Sequence, residues 1–123
     1  MTTWVGIAIA LAVATATTPV PSPDAKTYAR DRLVARYGAA GHREYDCLHR
    51  LWQRESGWRP TARNRRSGAY GIPQALPGER MASVAADWRT NPITQVTWGL
   101  RYVSGRYGTP CLALAHALRA GWY

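Results

Sequence analysis

Phenylalanine is absent from these 123 residues, lysine occurs once, at Lys26, and acidic residues number only seven. Without Phe, the six Trp and seven Tyr must supply the aromatic bulk of any core. There are only two cysteines, Cys47 and Cys111, and no His or Cys stands beside them at metal-ligand spacing, so neither a metal site nor a cofactor is expected. Internal repeats are missing, and so is any convincing strand run. The longest apolar run, Trp4 to Ala14, is too short to cross a bilayer, which takes about 20 residues.

What is present suits one small domain. Apolar residues make up 46% of the chain, too many for a disordered tail. The run WVGIAIALAVA, followed by Ala14-Thr15-Ala16, has the length and the small-residue exit of a secretory signal, although no Lys or Arg precedes it. The alternative is an uncleaved segment that dips into a membrane. The expected organisation is a signal peptide over 1–16, a Pro/Thr linker over 17–23 (TTPVPSP) and a folded domain over 24–123. Export would bring Cys47 and Cys111 into an oxidising compartment, where they are expected to pair; two buried free thiols are the alternative.

Helical periodicity dominates the domain. Ser22-Pro23-Asp24 starts a helix whose apolar positions run from Ala25 to Tyr37, and Gly38 stops it. A second helix covers about His42 to Ser56, with Leu48, Leu51, Trp52 and Glu55 on one face and Gly57 at its end. Residues 58–80 are rich in Gly, Pro and Arg and form an irregular lobe with room for a short hairpin. A long helix starts at Asn91-Pro92 and ends at Gly108, and a last one runs from Thr109-Pro110 to Ala120. The fold class is mainly α. The net charge of +9 favours acidic partners. Nucleic acid is not among the expected ones, because no recognition motif accompanies the charge.

The most informative stretch is RESGWRPTARNRRSGAYGIPQAL, residues 54–76. Glu55 closes an apolar helix face at the negative end of the helix dipole. Both burial and dipole raise a carboxyl pKa, as a general acid working near neutrality requires. By spacing alone, Glu55 could equally be a boundary residue paired with Arg54 or Arg59.

The motif as a whole resembles the lytic transglycosylase family of the lysozyme-like superfamily. In that family a Glu-Ser pair precedes an aromatic, a proline, an alanine and a polar residue, and a Gly-Ala-x-Gly-Leu-Met-Gln turn follows. Glu55-Ser56, Trp58, Pro60, Ala62, Asn64 and Gly68-Ala69-Tyr70-Gly71-Ile72-Pro73-Gln74 fill those places in order. Asn91-Pro92 through Arg106-Tyr107-Gly108 is similar to the next helix of the family, so the likeness spans roughly residues 45–123. There are two departures. Pro73 stands in place of the usual methionine, and Ala115-His116 lie where Ala-Tyr-Asn is usual, leaving open which residue makes the contact of that Tyr or Asn.

The resemblance implies a lysozyme-like helical domain that cleaves the MurNAc-GlcNAc β-1,4 bond of peptidoglycan. Glu55 would be the single acid and base, leaving 1,6-anhydro-MurNAc ends. No second carboxylate pairs with it by spacing; Asp46, Glu79 and Asp87 are the remaining candidates. Ser56, Asn64, Tyr70, Gly71, Gln74, Tyr102, Tyr107 and His116 are the implied substrate-binding positions, with Gly71 letting the backbone approach the glycan. Ser56 also reads as a helix cap, Tyr107 and His116 as interior residues, and Trp52, Trp58 and Trp98 as packing. A secreted monomer acting in the cell wall is expected, with glycan strands and acidic wall polymers as partners. The alternatives are a muramidase that activates water and a basic wall-binding protein without catalysis.

Overall fold

The computed structural model describes residues 1–15 and 23–123. Residues 16–22, which include most of the expected linker and the last residue of the expected signal, lie outside the described residues. Residues 1–15 form no helix or strand, and Trp4, Ile7, Ile9 and Leu11 are exposed. Among the described residues no helix is long and apolar enough to cross a membrane.

Four α-helices build the domain: α1 (Ala25–Tyr37), α2 (Ala40–Ser56), α3 (Pro92–Tyr107) and α4 (Pro110–Ala120). A short 3₁₀ helix, Gly78–Ser83, precedes α3. Most boundaries fall where cap chemistry places them. The Asn91 side chain accepts from the Ile93 amide and Thr109 from the Leu112 amide, each just before a proline in the first turn. At α1 the cap is Asp24, whose carboxylate accepts from the Lys26 and Thr27 amides, so the start lies two residues beyond Ser22. The α2 N-terminus has no side-chain cap and begins at Ala40, slightly before His42.

α2 is the central helix and packs against both α1 and α4, while α3 packs against α1, α4 and the 3₁₀ helix. Its buried stripe, Leu48, Leu51 and Trp52, is fully inaccessible. Each such side chain stabilises the fold by about 1.5–3 kcal/mol. Ala29, Leu33, Val96, Val103, Ala113, Leu114 and Ala117 complete this core. A smaller cluster of Ala75, Met81, Trp88 and Trp98 lies under the irregular lobe. The hairpin in that lobe is reduced to two isolated antiparallel bridges, Arg63 with Tyr70 and Tyr70 with Ala75.

A disulfide joins Cys47 on α2 to Cys111 in the first turn of α4, with Cα atoms 4.9 Å apart. Next to it, the Glu44 carboxylate accepts from the Cys111 amide at 2.9 Å, satisfying one of the free donors at the start of α4. The two helices are therefore tied covalently and by a charge-assisted cap at the same place.

Candidate active site

Glu55 occupies the last turn of α2, one helical turn beyond the buried Leu51 and Trp52, and is itself half-buried. Its surroundings raise the carboxyl pKa above the ordinary glutamate value, because burial disfavours the charged form; the neighbouring Arg54 charge opposes this only in part. The chain then leaves the helix abruptly. Gly57 caps α2 in the left-handed conformation, with φ 61°, and Trp58 follows at φ 59°. A non-glycine residue in that region is strained and must be held by its neighbours. Trp58 is held by packing edge-on to Trp52, ring centroids 5.1 Å apart, and by its amide donating to the Ser56 hydroxyl at 3.1 Å.

Ser56 is 3% exposed, and its hydroxyl donates to the Ile72 carbonyl at 2.7 Å. It therefore joins the end of the acid-bearing helix to the glycine-rich turn. Its engagement is with backbone on both sides, in keeping with its reading as a helix cap. Gly71 is also explained by the fold. Its φ is +78°, and a Cβ there would fall 2.6 Å from the Gln95 Oε1 atom. The space left by the missing side chain holds the Gln95 carboxamide.

Gln95 lacks any sequence signal of this role. It is wholly buried; its Oε1 accepts from the Ile72 amide at 2.8 Å, and its Nε2 donates to the Pro60 and Trp88 carbonyls at 2.9 and 2.8 Å. One side chain from α3 thus pins three segments of irregular backbone together. Gln95→Leu keeps the volume but orphans those groups, so unfolding stability is expected to drop by about 2–3 kcal/mol. Chemical denaturation would measure the loss.

Gln74 has a positive φ of 54°, and its amide donates to the Ala62 and Gly71 carbonyls at 3.1 and 2.9 Å. It braces the turn and also lines a cleft of about 230 Å³ together with Leu76, Arg80, Trp98, Tyr102, Arg106, Trp122 and Tyr123. Pro73 is buried beside Trp52 where α3 passes closest. A Cβ on Gly99 would sit 2.5 Å from the Trp52 ring and 2.9 Å from the Pro73 side chain. The rigid ring of Pro73 fills a gap in the core, which accommodates the departure from methionine.

Tyr123 ties α2 to the glycine-rich turn. Its hydroxyl donates to the Pro73 carbonyl and accepts from Trp52 Nε1 at 2.9 Å. Although the ring is partly exposed, that hydroxyl is enclosed; burial pushes its pKa well above the ordinary tyrosine value, and the negative charge of Glu55 adds to the rise. A C-terminal aromatic hydroxyl therefore stands within the electrostatic reach of Glu55. The sequence left the source of such a contact open.

The remaining expected positions divide into two groups. Tyr102 lines the cleft and stacks on Trp98, with centroids 5.1 Å apart and planes 13° apart. Tyr107 packs edge-on against Tyr102 and lies 5.1 Å, ring to ring, from His116; the Tyr107 hydroxyl and His116 Nε2 are buried with no hydrogen-bond partner among the described residues. Burial raises the Tyr107 pKa. Tyr107 and His116 are both half-buried. Asn64 and Tyr70 are not at the cleft. The Asn64 carboxamide accepts from the Arg66 and Ser67 amides at 2.9 and 3.1 Å, folding the 64–69 turn. The Tyr70 hydroxyl donates to the Arg89 carbonyl at 2.7 Å, and its ring borders a separate depression with Arg63, Glu79 and Trp88. Asn64 thus serves the turn and Gly71 the packing against Gln95.

No other carboxylate is drawn to Glu55. Asp24 caps α1 and Asp87 holds Thr94 and Asn91 at the start of α3; both carboxyls are lowered by those hydrogen bonds, the Thr27 and Thr94 hydroxyls contributing most. Glu44 caps α4, and Asp31, Asp46 and Glu79 are exposed. Depressions of about 420 and 660 Å³ lie between α1 and α3 and around Pro23, Asn91 and Pro92, with no carboxylate and no residue of the 54–76 motif, whereas the one of about 380 Å³ beside Tyr70 holds Glu79 and motif residues Arg63, Ser67, Gly68 and Leu76. The smaller cleft is bordered by Gln74 and Leu76 of that motif, and Glu55 is not among its lining residues.

A helical domain that ends its central helix in a half-buried glutamate, and folds a glycine-rich turn back onto it, is a small lysozyme-like domain. Comparison with family models narrows this further. Residues 32–120 match the Transglycosylase SLT domain, so the chain belongs to that family, whose members act on peptidoglycan as lytic transglycosylases. No curated protein and no solved structure matches the chain significantly.

Proposed function

We propose that the protein cleaves the MurNAc-GlcNAc β-1,4 bond with Glu55 as its one acid and base, leaving 1,6-anhydro-MurNAc ends. The observation that carries this reading is the raised, half-buried carboxyl of Glu55, with every other acidic side chain engaged elsewhere or exposed. In the first step the Glu55 proton passes to the glycosidic oxygen, and the bond to the muramyl anomeric carbon breaks. Positive charge develops on the sugar ring as Glu55 becomes a carboxylate. That carboxylate then takes the proton of the muramyl C6 hydroxyl, whose oxygen closes on the anomeric carbon. Glu55 ends as it began, and no water is consumed. A two-carboxylate glycosidase would need a second acid near the bond.

The binding roles are Gln74 and Tyr102 at the cleft, with Ser56, Gly71 and Gln95 as positioning residues. Secretion suits both the disulfide and a wall substrate. The direct test is digestion of purified sacculi by the mature domain followed by borohydride treatment. Anhydro ends resist reduction, whereas the reducing ends of a muramidase product do not.

The pH dependence follows from the direction of the shift. The acid works while protonated, so kcat/KM is expected to fall as pH rises through a Glu55 pKa above the ordinary carboxylate range. Stability follows the same sign. A raised carboxyl favours the fold when neutral, and that contribution is lost as pH rises through its folded pKa. Glu55→Gln should therefore melt no lower than the wild type at neutral pH, with the difference closing in acid. Parallel melts across pH check both the sign and the position.

A further inference from the structure

We infer that Arg80 and Arg106 form a two-guanidinium site beside Tyr102 for a carboxylate carried on the lactyl arm of the muramyl residue. This rests on the reading above and adds a specificity determinant to the same cleft. Arg80, on the 3₁₀ helix, places its guanidinium 5.4 Å from the Trp98 ring centroid and 5.6 Å from that of Tyr102. Arg106, in the last turn of α3, lies 5.9 Å from the Tyr102 centroid, 5.7 Å from Tyr107 and 5.6 Å from Trp122. Two cations from different elements thus converge on one aromatic ring. Both line the cleft that Gln74 and Tyr123 also border, and no carboxylate is among its lining residues.

Two like charges around a single ring repel each other, and the attraction of each for an aromatic face is small, about 0.5–1 kcal/mol where exposed. An anion between them removes the repulsion. A guanidinium held beside aromatic rings keeps N–H groups available, the fork that meets a carboxylate with two parallel hydrogen bonds. The proposed substrate supplies that group in either of two forms, the lactyl carboxylate of a peptide-free strand or a free carboxylate of the attached stem peptide. A glucosamine-only polymer such as chitin has neither.

The test is equilibrium binding by Glu55→Gln protein, which holds substrate without turnover. Three ligands of equal glycan length are compared: peptide-bearing strands, amidase-treated strands and chito-oligosaccharide. Adding Arg106→Gln or Arg80→Gln is expected to weaken binding of carboxylate-bearing strands about tenfold or more, as loss of a charge-assisted pair does. Chito-oligosaccharide binding should change less than twofold, and Arg106→Lys should restore part of the loss. A loss confined to peptide-bearing strands assigns the carboxylate to the peptide, a loss confined to amidase-treated strands assigns it to the lactyl group, and a loss shared by both shows that either carboxylate fills the site. The inference is overturned if both arginine variants bind all three ligands as the parent does, or if chito-oligosaccharide is weakened equally. Arg80 is exposed on a short element, so its variant supplies the answer even where Arg106→Gln perturbs the packing around Trp122. If the wild type cleaves no wall at all, the proposed activity fails first. If anhydro ends form while the variants are indifferent, only the arginine site fails.

Discussion

Glu55→Gln is expected to slow glycan cleavage by roughly 10³-fold while leaving the domain folded, the scale on which a positioned general acid contributes. The substitution keeps the shape and the hydrogen-bonding capacity of the side chain and removes only the transferable proton. Nothing in the surroundings offers a substitute. Tyr123 and Tyr107 have hydroxyls whose pKa values burial raises, so they are poorer acids than free tyrosine. The nearest arginine, Arg54, donates hydrogen bonds but does not give up its proton near neutrality. Turbidity clearing of purified walls reads the rate, and circular dichroism confirms the fold. Clearing within tenfold of wild type would mean that the acid lies elsewhere.

Replacing both Cys47 and Cys111 with serine is expected to cost about 4 kcal/mol of unfolding stability on the chain-entropy account. The bridge spans a sequence separation of 64 residues, so it constrains more than half of the unfolded chain. Small domains have only about 5–15 kcal/mol in total, which makes the loss a large fraction of what holds this one together. The effect should reach the site. Cys47 and Glu55 lie on the same helix, and the bridge fixes that helix against α4, whose far end leads through Gly121 to Tyr123. Urea titration with and without reductant measures it. A loss below about 1 kcal/mol would show that packing and the Glu44 cap suffice to dock α4.

Much of this architecture was legible in the residues because its signals are local. Asn91-Pro92 and Thr109-Pro110 start helices by chemistry confined to one turn, and Leu48, Leu51, Trp52 and Glu55 share a face by spacing alone. What stayed hidden depends on contacts distant in sequence. Gln95 reads as an ordinary polar residue of α3 until the lobe from Pro60 to Trp88 folds over it. Tyr123, last in the chain, shows nothing of its partnership with Trp52 and Pro73 across 71 and 50 residues. The 3₁₀ helix Gly78–Ser83 has too few residues for a periodic stripe, so no sequence signal marks a helix there. Arg80 and Arg106 each read as surface charge; only the fold brings both to Tyr102.

Cleavage of purified peptidoglycan in water enriched in heavy oxygen, followed by mass analysis of the soluble fragments, is the most direct trial of the single-carboxylate account. New muramyl ends should carry no solvent oxygen and weigh one water less than reducing ends, because the sugar's own C6 hydroxyl closes the bond. Fragments that take up one heavy oxygen at each new end would contradict it and make the protein a water-activating muramidase.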